Sequence, residues 1–232
     1  MNKKYSKKEE EFSGISDMLE GRHHVIPIMS NDDEEAAEKV DIPQILPILT
    51  LRSSVLFPGS ITPITVGREK SMKLVREVEG VGGILGAGLQ KEPEVEQPGP
   101  DDLYRIGTAA RILKVLEMPN GNLTVILHGL EKVEISEFVV SEPYFKASVA
   151  TLKDSTPDPS NIEFEALVDS IKDVALNIIN VSPQMPKEAT FAIKNIDNKR
   201  GIINFICSNL DLPDSDRQRL LEAGLNLAQV LR

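Results

Sequence analysis

The sequence predicts an α+β protein: a closed or nearly closed β-barrel with one main helix, followed by a segment built almost wholly of helices. Three observations predict it. From about Gln44 to Lys153 the chain reads as short apolar runs broken by Pro and Gly, the pattern of many short strands. Within that region a single stretch, opening at Glu69, has helical spacing instead. Beyond Pro157 and Pro159 the apolar residues recur every three or four positions.

Each element has its own signature. Ile45 to Leu51 is a compact apolar run, Phe57-Pro58-Gly59 marks a turn, and Ile61 to Val66 is a further strand that Gly67 ends. In the helix from Glu69, Met72, Val75 and Val78 fall three apart and are set inward, while Lys70, Lys73, Arg76 and Glu77 take the wetter side. Gly80, Gly82 and Gly83 stop it, and Ile84 to Gln90 resumes strand character. The glycines at 80, 82, 83, 86 and 88 do not fall in the register of a dinucleotide loop, so they are read as helix stops and as room for a closely packed strand. Residues 92–102, rich in Glu, Pro and Asp, form an exposed loop. Arg111 to Glu117 and Leu123 to Leu127 flank Pro119-Asn120-Gly121, where Asn-Gly favours the positive φ angles of a tight hairpin. Lys132 to Ser136 alternates as a half-buried strand does, and so do Phe145, Ala147 and Val149 with Lys146 and Ser148. Closing such strands into a barrel removes vulnerable sheet edges.

In the helical segment, Ser160 with Glu163 has the spacing of a capping box. Phe164, Leu167, Val168, Ile171, Ala175 and Ile178 trace one face of the helix that follows. Pro186 starts a second helix with Ala189, Ile193 and Ile196 inward, and a third carries Ile202, Ile203, Phe205 and Ile206. Ser215 with Gln218 repeats the capping box for a fourth, with Leu220, Leu221 and Leu225. The apolar pattern still runs at Val230 and Leu231, so the chain is expected to be the front part of something longer.

Residues 1–43 read as an acidic, flexible arm. Up to Asp41 it holds six basic residues against eleven acidic ones, half of the chain's net charge of −10. The apolar island Val25-Ile26-Pro27-Ile28-Met29 interrupts it. Neither the arm nor the remainder has the basic excess on which nucleic-acid affinity depends. No apolar run approaches the ~18 residues of a membrane span. One cysteine forbids an internal disulfide, and the charged start is unlike a signal peptide, so a cytoplasmic protein is expected.

Catalytic constellations are missing from the residues. There is no G-x-x-x-x-G-K-[ST] phosphate loop and no G-x-S-x-G elbow. Cys207 lies in the apolar stretch Phe205-Ile206-Cys207 and reads as core. His23 and His24 lack further ligand spacing, and His128 ends a strand, so no metal site is expected.

The motifs between 44 and 153 are more specific. They are Leu46-Pro47-Ile48-Leu49-Thr50-Leu51-Arg52, Leu56-Phe57-Pro58-Gly59, Val66-Gly67-Arg68-Glu69-Lys70-Ser71 and Gln90-Lys91. Asp102 to Ala110, Gly129-Leu130-Glu131 and Glu142-Pro143-Tyr144 complete the series. In order and spacing this stretch resembles the N-terminal domain of Lon proteases, and residues 160–232 resemble, more loosely, the region that follows it in that family. The resemblance implies a PUA-like β-barrel over 44–153, a linker at 154–159 and the start of a helical bundle over 160–232. It implies a substrate-recruiting and assembly role in an ATP-dependent serine protease that degrades misfolded and regulatory proteins. An ATPase module and a Ser-Lys peptidase come later in such proteases, so ATP and Mg are expected only there and no cofactor in this chain. The implied partners are unfolded or tagged polypeptides and sister subunits of a homo-oligomeric ring, a hexamer.

Physical reasons attach to several motif residues. Pro47, Pro58 and Pro63 suit strand edges and turns. Gly59, Gly67 and Gly107 suit tight or positive-φ backbone. Arg52 is expected to pin a loop through carbonyl groups. Candidate substrate-binding residues are Glu69, Lys70 and Lys73 on the outward side of the helix, with Met118 and Pro119 at the hairpin tip; the loop 92–102 is a further candidate surface. The alternative is a stand-alone PUA-like module for a small ligand or RNA. The charge balance opposes RNA, and the absence of Trp opposes an aromatic cage.

Overall fold

The period-two runs become six strands, and their pairing returns on itself. The computed structural model describes residues 40–81, 83–153, 162–181, 188–196 and 198–224. The arm before Val40 (with His23, His24 and the apolar island), Gly82, the linker with Ser160, Pro186, the Ala189 side chain, Leu225, Val230 and Leu231 lie outside the described residues, and so do the expectations placed on them. The elements are β1 (Ile45–Leu51), β2 (Ile61–Val66), α1 (Glu69–Gly80), β3 (Ile84–Leu89), a 3₁₀ turn (Pro100–Asp102), β4 (Ile106–Glu117), β5 (Leu123–Val140) and β6 (Lys146–Thr151). Four helices follow: α2 (Ile162–Val181), α3 (Glu188–Asn195), α4 (Lys199–Asn209) and α5 (Asp214–Ala223).

The sheet order is β2-β5-β4-β3-β1-β6, and β6 also pairs with β5. The pairings therefore close a circuit through β5, β4, β3, β1 and β6, with β2 outside it as the outer strand on β5. β5 serves both roles because it is 18 residues long. Its first part pairs with β2, from Leu123 opposite Val66 to His128 opposite Ile61. Its later part pairs with β6, from Val133 opposite Thr151 to Val140 opposite Lys146. Register shifts between Ala109 and Ala110, and between Ile112 and Lys114, bend β4 along β5. The pairs are antiparallel except β1 with β3, which β2 and α1 connect in sequence.

β1 is apolar along its length because both of its faces are covered. Leu49 and Leu51 join Leu85, Val125 and Leu127 in one cluster, onto which α1 packs Leu74, Val75 and Val78. Leu46 and Ile48 join Ala109, Val133, Ile135 and Ala147 in another. α1 departs from its expected inner face. Ser71, Leu74, Val75 and Val78 are buried, and Met72 only partly so. Positions three and four apart stay on one face of a 3.6-residue turn, whereas strict threes drift off it.

The hairpin forms where expected, by a different turn. The Gly121 N–H donates to the Met118 carbonyl at 2.9 Å and the Met118 N–H to the Asn122 carbonyl at 2.9 Å. Only Gly121 has positive φ, at 83°; Asn120 does not. Pro119 fixes a negative φ at the first central position, which selects a type I turn closed by a left-handed Gly over the mirror-image turn that Asn-Gly alone favours.

The helices are joined to the sheet by an apolar cluster. Val55, Phe57 and Leu89 meet Val168, Ile203, Cys207 and Leu221 there. Cys207 is core, as its apolar neighbours suggest, and burial pushes its thiol up to about 11. An Arg200–Glu131 ion pair at 2.8 Å borders the junction. The Ser215–Gln218 capping box does not form: Pro213 is the N-cap of α5 and no side chain caps it. Gln218 is buried instead, and its Nε2 donates to the Ile106 carbonyl at 2.9 Å.

Candidate functional site

Arg68, the N-cap of α1, organises the motif residues. Its guanidinium donates to Gln90 Oε1 at 2.6 Å, to the Val95 carbonyl at 3.1 Å and to Thr50 Oγ1 at 3.3 Å. Gln90 is buried and donates in turn to the carbonyls of Glu92 at 2.5 Å and Val95 at 3.2 Å. Loop 92–99 is thus exposed yet held from beneath. Arg52, expected to bind loop carbonyls, instead forms an exposed ion pair with Glu96 of the same loop at 3.0 Å. The carbonyl role falls to Arg68, which is half-buried, because a fork with several donors satisfies backbone oxygens that solvent does not reach. Burial and then the neighbouring Arg52 lower the Arg68 pKa, against Glu96, which raises it.

The glycine and proline positions explain themselves locally. Gly59 has φ +78° in the turn after Pro58. A Cβ at Gly107 would fall 2.4 Å from the Ala87 carbonyl oxygen, so β4 approaches β3 closely there. Pro63 sits on outer strand β2.

Glu69, Lys70 and Lys73 are all exposed, and Lys70 makes an ion pair with Glu142 of the β5–β6 turn. Met118 is 41% exposed, and Pro119 is exposed beside it. Val66 pairs with Leu123, so the β2–α1 junction and the hairpin tip lie at one end of the same ladder. A Cβ on Gly67 would fall 3.0 Å from Asn122 Oδ1. Arg76 of α1 reaches Glu117 at the hairpin base at 3.2 Å. The start of α1 (Glu69, Lys70, Lys73), the tip (Met118, Pro119) and the loop after Gln90 therefore converge around Gly67 and Arg68. Separation in sequence hides this convergence.

Two further features bear on the site's chemistry. Tyr144 Oη donates to Glu77 Oε2 at 2.6 Å, tying the β5–β6 turn to α1. That bond, then burial, pushes the Tyr144 pKa up to about 12. Among the described residues no three His, Cys, Asp or Glu side chains gather where a metal ion could be held, and no helix is long and apolar enough to cross a membrane.

Sequence reasoning missed a cavity of about 360 Å³ between α2, α3 and α4. Ile179 and Ile193 are buried within it, and Val174 and Ile178 stand at its mouth, 57% and 49% exposed. Phe205 and Ile206 add to its wall. Ile178, expected on the buried face of α2, is a correction: the buried neighbour is Ile179. The available signal was that α2 is apolar around more of its circumference than one packed face requires, at Val174, Ile178 and Val181.

A strand circuit joined to helices, with exposed segments converging at one end, has the form of a binding domain. The chain belongs to the family described as the ATP-dependent protease La (LON) substrate-binding domain, which it matches over residues 45–226. It is 47% identical over 197 residues to a Lon protease of Flavobacterium johnsoniae, covering 85% of this chain and 24% of that protein. A Lon protease of Cytophaga hutchinsonii is 38% identical over 198 residues, with 85% and 24% covered. The chain thus spans about a quarter of the length of these curated relatives. Two solved structures share the fold. The N-terminal domain of a Mycobacterium avium complex Lon protease superposes with a TM-score of 0.59 at 18% identity, covering 77% of this chain and 89% of that one. A Lon N-terminal domain protein from Xanthomonas campestris does so with a TM-score of 0.54 at 20% identity, covering 82% and 98%.

Proposed function

We propose that this chain recruits unfolded or tagged polypeptides to an ATP-dependent serine protease and helps assemble its ring, a hexamer of sister subunits in the cytoplasm. In this reading ATP and Mg are used outside the chain, and the polypeptides are misfolded and regulatory proteins. One observation carries it: the exposed start of α1, the hairpin tip and loop 92–99 converge around Gly67 and Arg68 in a chain of the substrate-binding family. Glu69, Lys70 and Lys73 supply charge there, and Met118 supplies a side chain that adapts to varied partners. A stand-alone module for a small ligand or RNA has less support, because the relatives matched are proteases.

Single-domain contacts of this kind are weak, with Kd in the micromolar to sub-millimolar range, and presentation on a ring multiplies them. Titrating labelled unfolded casein against wild type and Lys70→Glu/Lys73→Glu tests the reading, with circular dichroism as the folding control. The Lys70–Glu142 pair is exposed on both sides, so its loss leaves the fold in place. Wild type is expected to bind unfolded but not folded protein, and the double variant to bind it differently. Equal binding removes α1 from the contact surface. No binding by wild type, even when artificially multimerised, ends the recruiting role.

A further inference from the structure

We propose that Arg68 and Gln90 are positioning residues: together they latch loop 92–99 to the start of α1, so that the two meet a polypeptide as one preorganised unit. The proposal rests on the recruiting reading above and adds how its contact surface is held ready.

The loop is a strap, closed at its root and pinned at mid-span. At the root the Lys91 N–H donates to the Asp102 carbonyl at 2.7 Å, and the Gly99 N–H to Asp102 Oδ2 at 2.7 Å. Lys91 Nζ adds a bond to the Asp101 carbonyl at 2.7 Å, and Gln90 bridges Leu103. These bonds keep the two ends of the strap together whatever its middle does. The middle is held at Val95, whose carbonyl accepts from Arg68 at 3.1 Å and from Gln90 Nε2 at 3.2 Å. The outer tie, Arg52 to Glu96, is exposed on both sides at 46% and 78% and contributes little. Releasing the pin therefore frees the strap without opening its root.

The pin has a fixed half and a shared half. Gln90 is the fixed half: it is 1% exposed, and its backbone N–H donates to the Leu51 carbonyl at 2.9 Å, so it belongs to the sheet. Its amide spends both hydrogens on the loop carbonyls of Glu92 and Val95 and its oxygen on Arg68. Arg68 is the shared half. Its carbonyl accepts the Met72 N–H at 2.9 Å and so sets the first turn of α1, while its side chain reaches Thr50 of β1, Gln90 and the loop. All three acceptors are neutral oxygens, so its contribution is the geometry of a fork that spans several elements, which a lysine lacks. A shift of the first turn of α1 moves the Val95 pin, and a shift of the strap pulls on α1. A loop held beforehand is spared the ordering cost that a free loop meets on binding.

The test uses the 232-residue chain and labelled unfolded casein. Gln90→Glu keeps an acceptor for Arg68 but replaces the group that donates to Glu92 and Val95 with a carboxylate oxygen that repels their carbonyls. Its thermal midpoint is expected to hold, because Arg68 gains a charged partner, while amide hydrogen exchange at Glu94 to Gln97 accelerates severalfold. Fluorescence anisotropy is expected to show casein affinity weakened about fivefold. In that background Lys70→Glu/Lys73→Glu is expected to change affinity by less than it does in wild type, a shortfall that a merely structural role would not produce. If Gln90→Glu fails to fold, Arg68→Lys, which keeps the charge and loses the fork, carries the same expectations. Faster exchange with unchanged casein affinity, or affinity changes that add across the cycle, overturns the latch and leaves the recruiting reading standing. Unchanged exchange in both variants overturns the latch as well. Wild type that does not bind casein, even when artificially multimerised, overturns both.

Discussion

Gln218 on α5 hydrogen-bonds the backbone carbonyl of Ile106 at the start of β4, 112 residues away in sequence, across 2.9 Å of buried junction. The strand circuit and the helices are thereby joined by a polar bond inside an otherwise apolar cluster. Gln218→Ala leaves that carbonyl without this donor and is expected to destabilise the chain by about 1–3 kcal/mol. Urea unfolding followed by circular dichroism checks it: the midpoint falls while the slope stays constant. An unchanged midpoint would show that water replaces the amide there.

Arg68 is expected to matter for loop order more than for overall stability. Arg68→Lys keeps the charge but loses the fork that reaches Gln90 and Val95 together. Cleavage by a glutamate-specific protease after Glu94 and Glu96 should accelerate severalfold while the unfolding midpoint moves little. Unaltered cleavage would assign the loop's order to Gln90 alone.

Tyr144 sets an alkaline limit on the fold. Its pKa is raised to about 12 in the folded chain, first by the bond to Glu77, against about 10 when unfolded. The unfolded state then releases its proton first, so the stability from this group is fully present below about pH 10 and is lost as pH rises toward 12. Spectrophotometric titration of tyrosinate should show a late-ionising phase in wild type that Tyr144→Phe removes. A late phase that survives the substitution would belong to another tyrosine.

Gly107 tolerates no side chain. A Cβ there would fall 2.4 Å from the Ala87 carbonyl oxygen, a backbone atom with little room to yield. Gly107→Ala is expected to cost about 1–3 kcal/mol by overpacking. At Gly121, where space is open and only φ objects, alanine is expected to cost about 1 kcal/mol. Paired thermal melts rank the two, and a larger loss at Gly121 would contradict the close approach of β3 and β4.

Local pattern carried the β4–β5 hairpin and β6, because alternation and the Pro119-Asn120-Gly121 turn are read from adjacent residues, but it divided β5 at His128, where the structure has one continuous strand, Leu123–Val140. Distant pairing was less legible. The Ser215–Gln218 spacing suits a cap, but a carbonyl on β4 competes for the Gln218 amide and takes it. Five arginines lie between residues 44 and 153, and only the folded chain decides that Arg68, not Arg52, faces the loop carbonyls. The residues of the candidate surface were nameable from sequence as exposed helix and turn positions. Their meeting around Gly67 depends on the Val66–Leu123 register, which no local pattern encodes. Ile178 was read as core because helical spacing tells which residues share a face but not whether a neighbour covers it.

Pro63 lies in the middle of β2, the strand at the open end of the sheet order. It has no N–H, so an incoming strand meets a gap in the row of donors that would align it. On the recruiting reading proposed above, segments prone to cross-β growth would gather beside this sheet. With Pro63 in that row, β2 is a poor template for such growth.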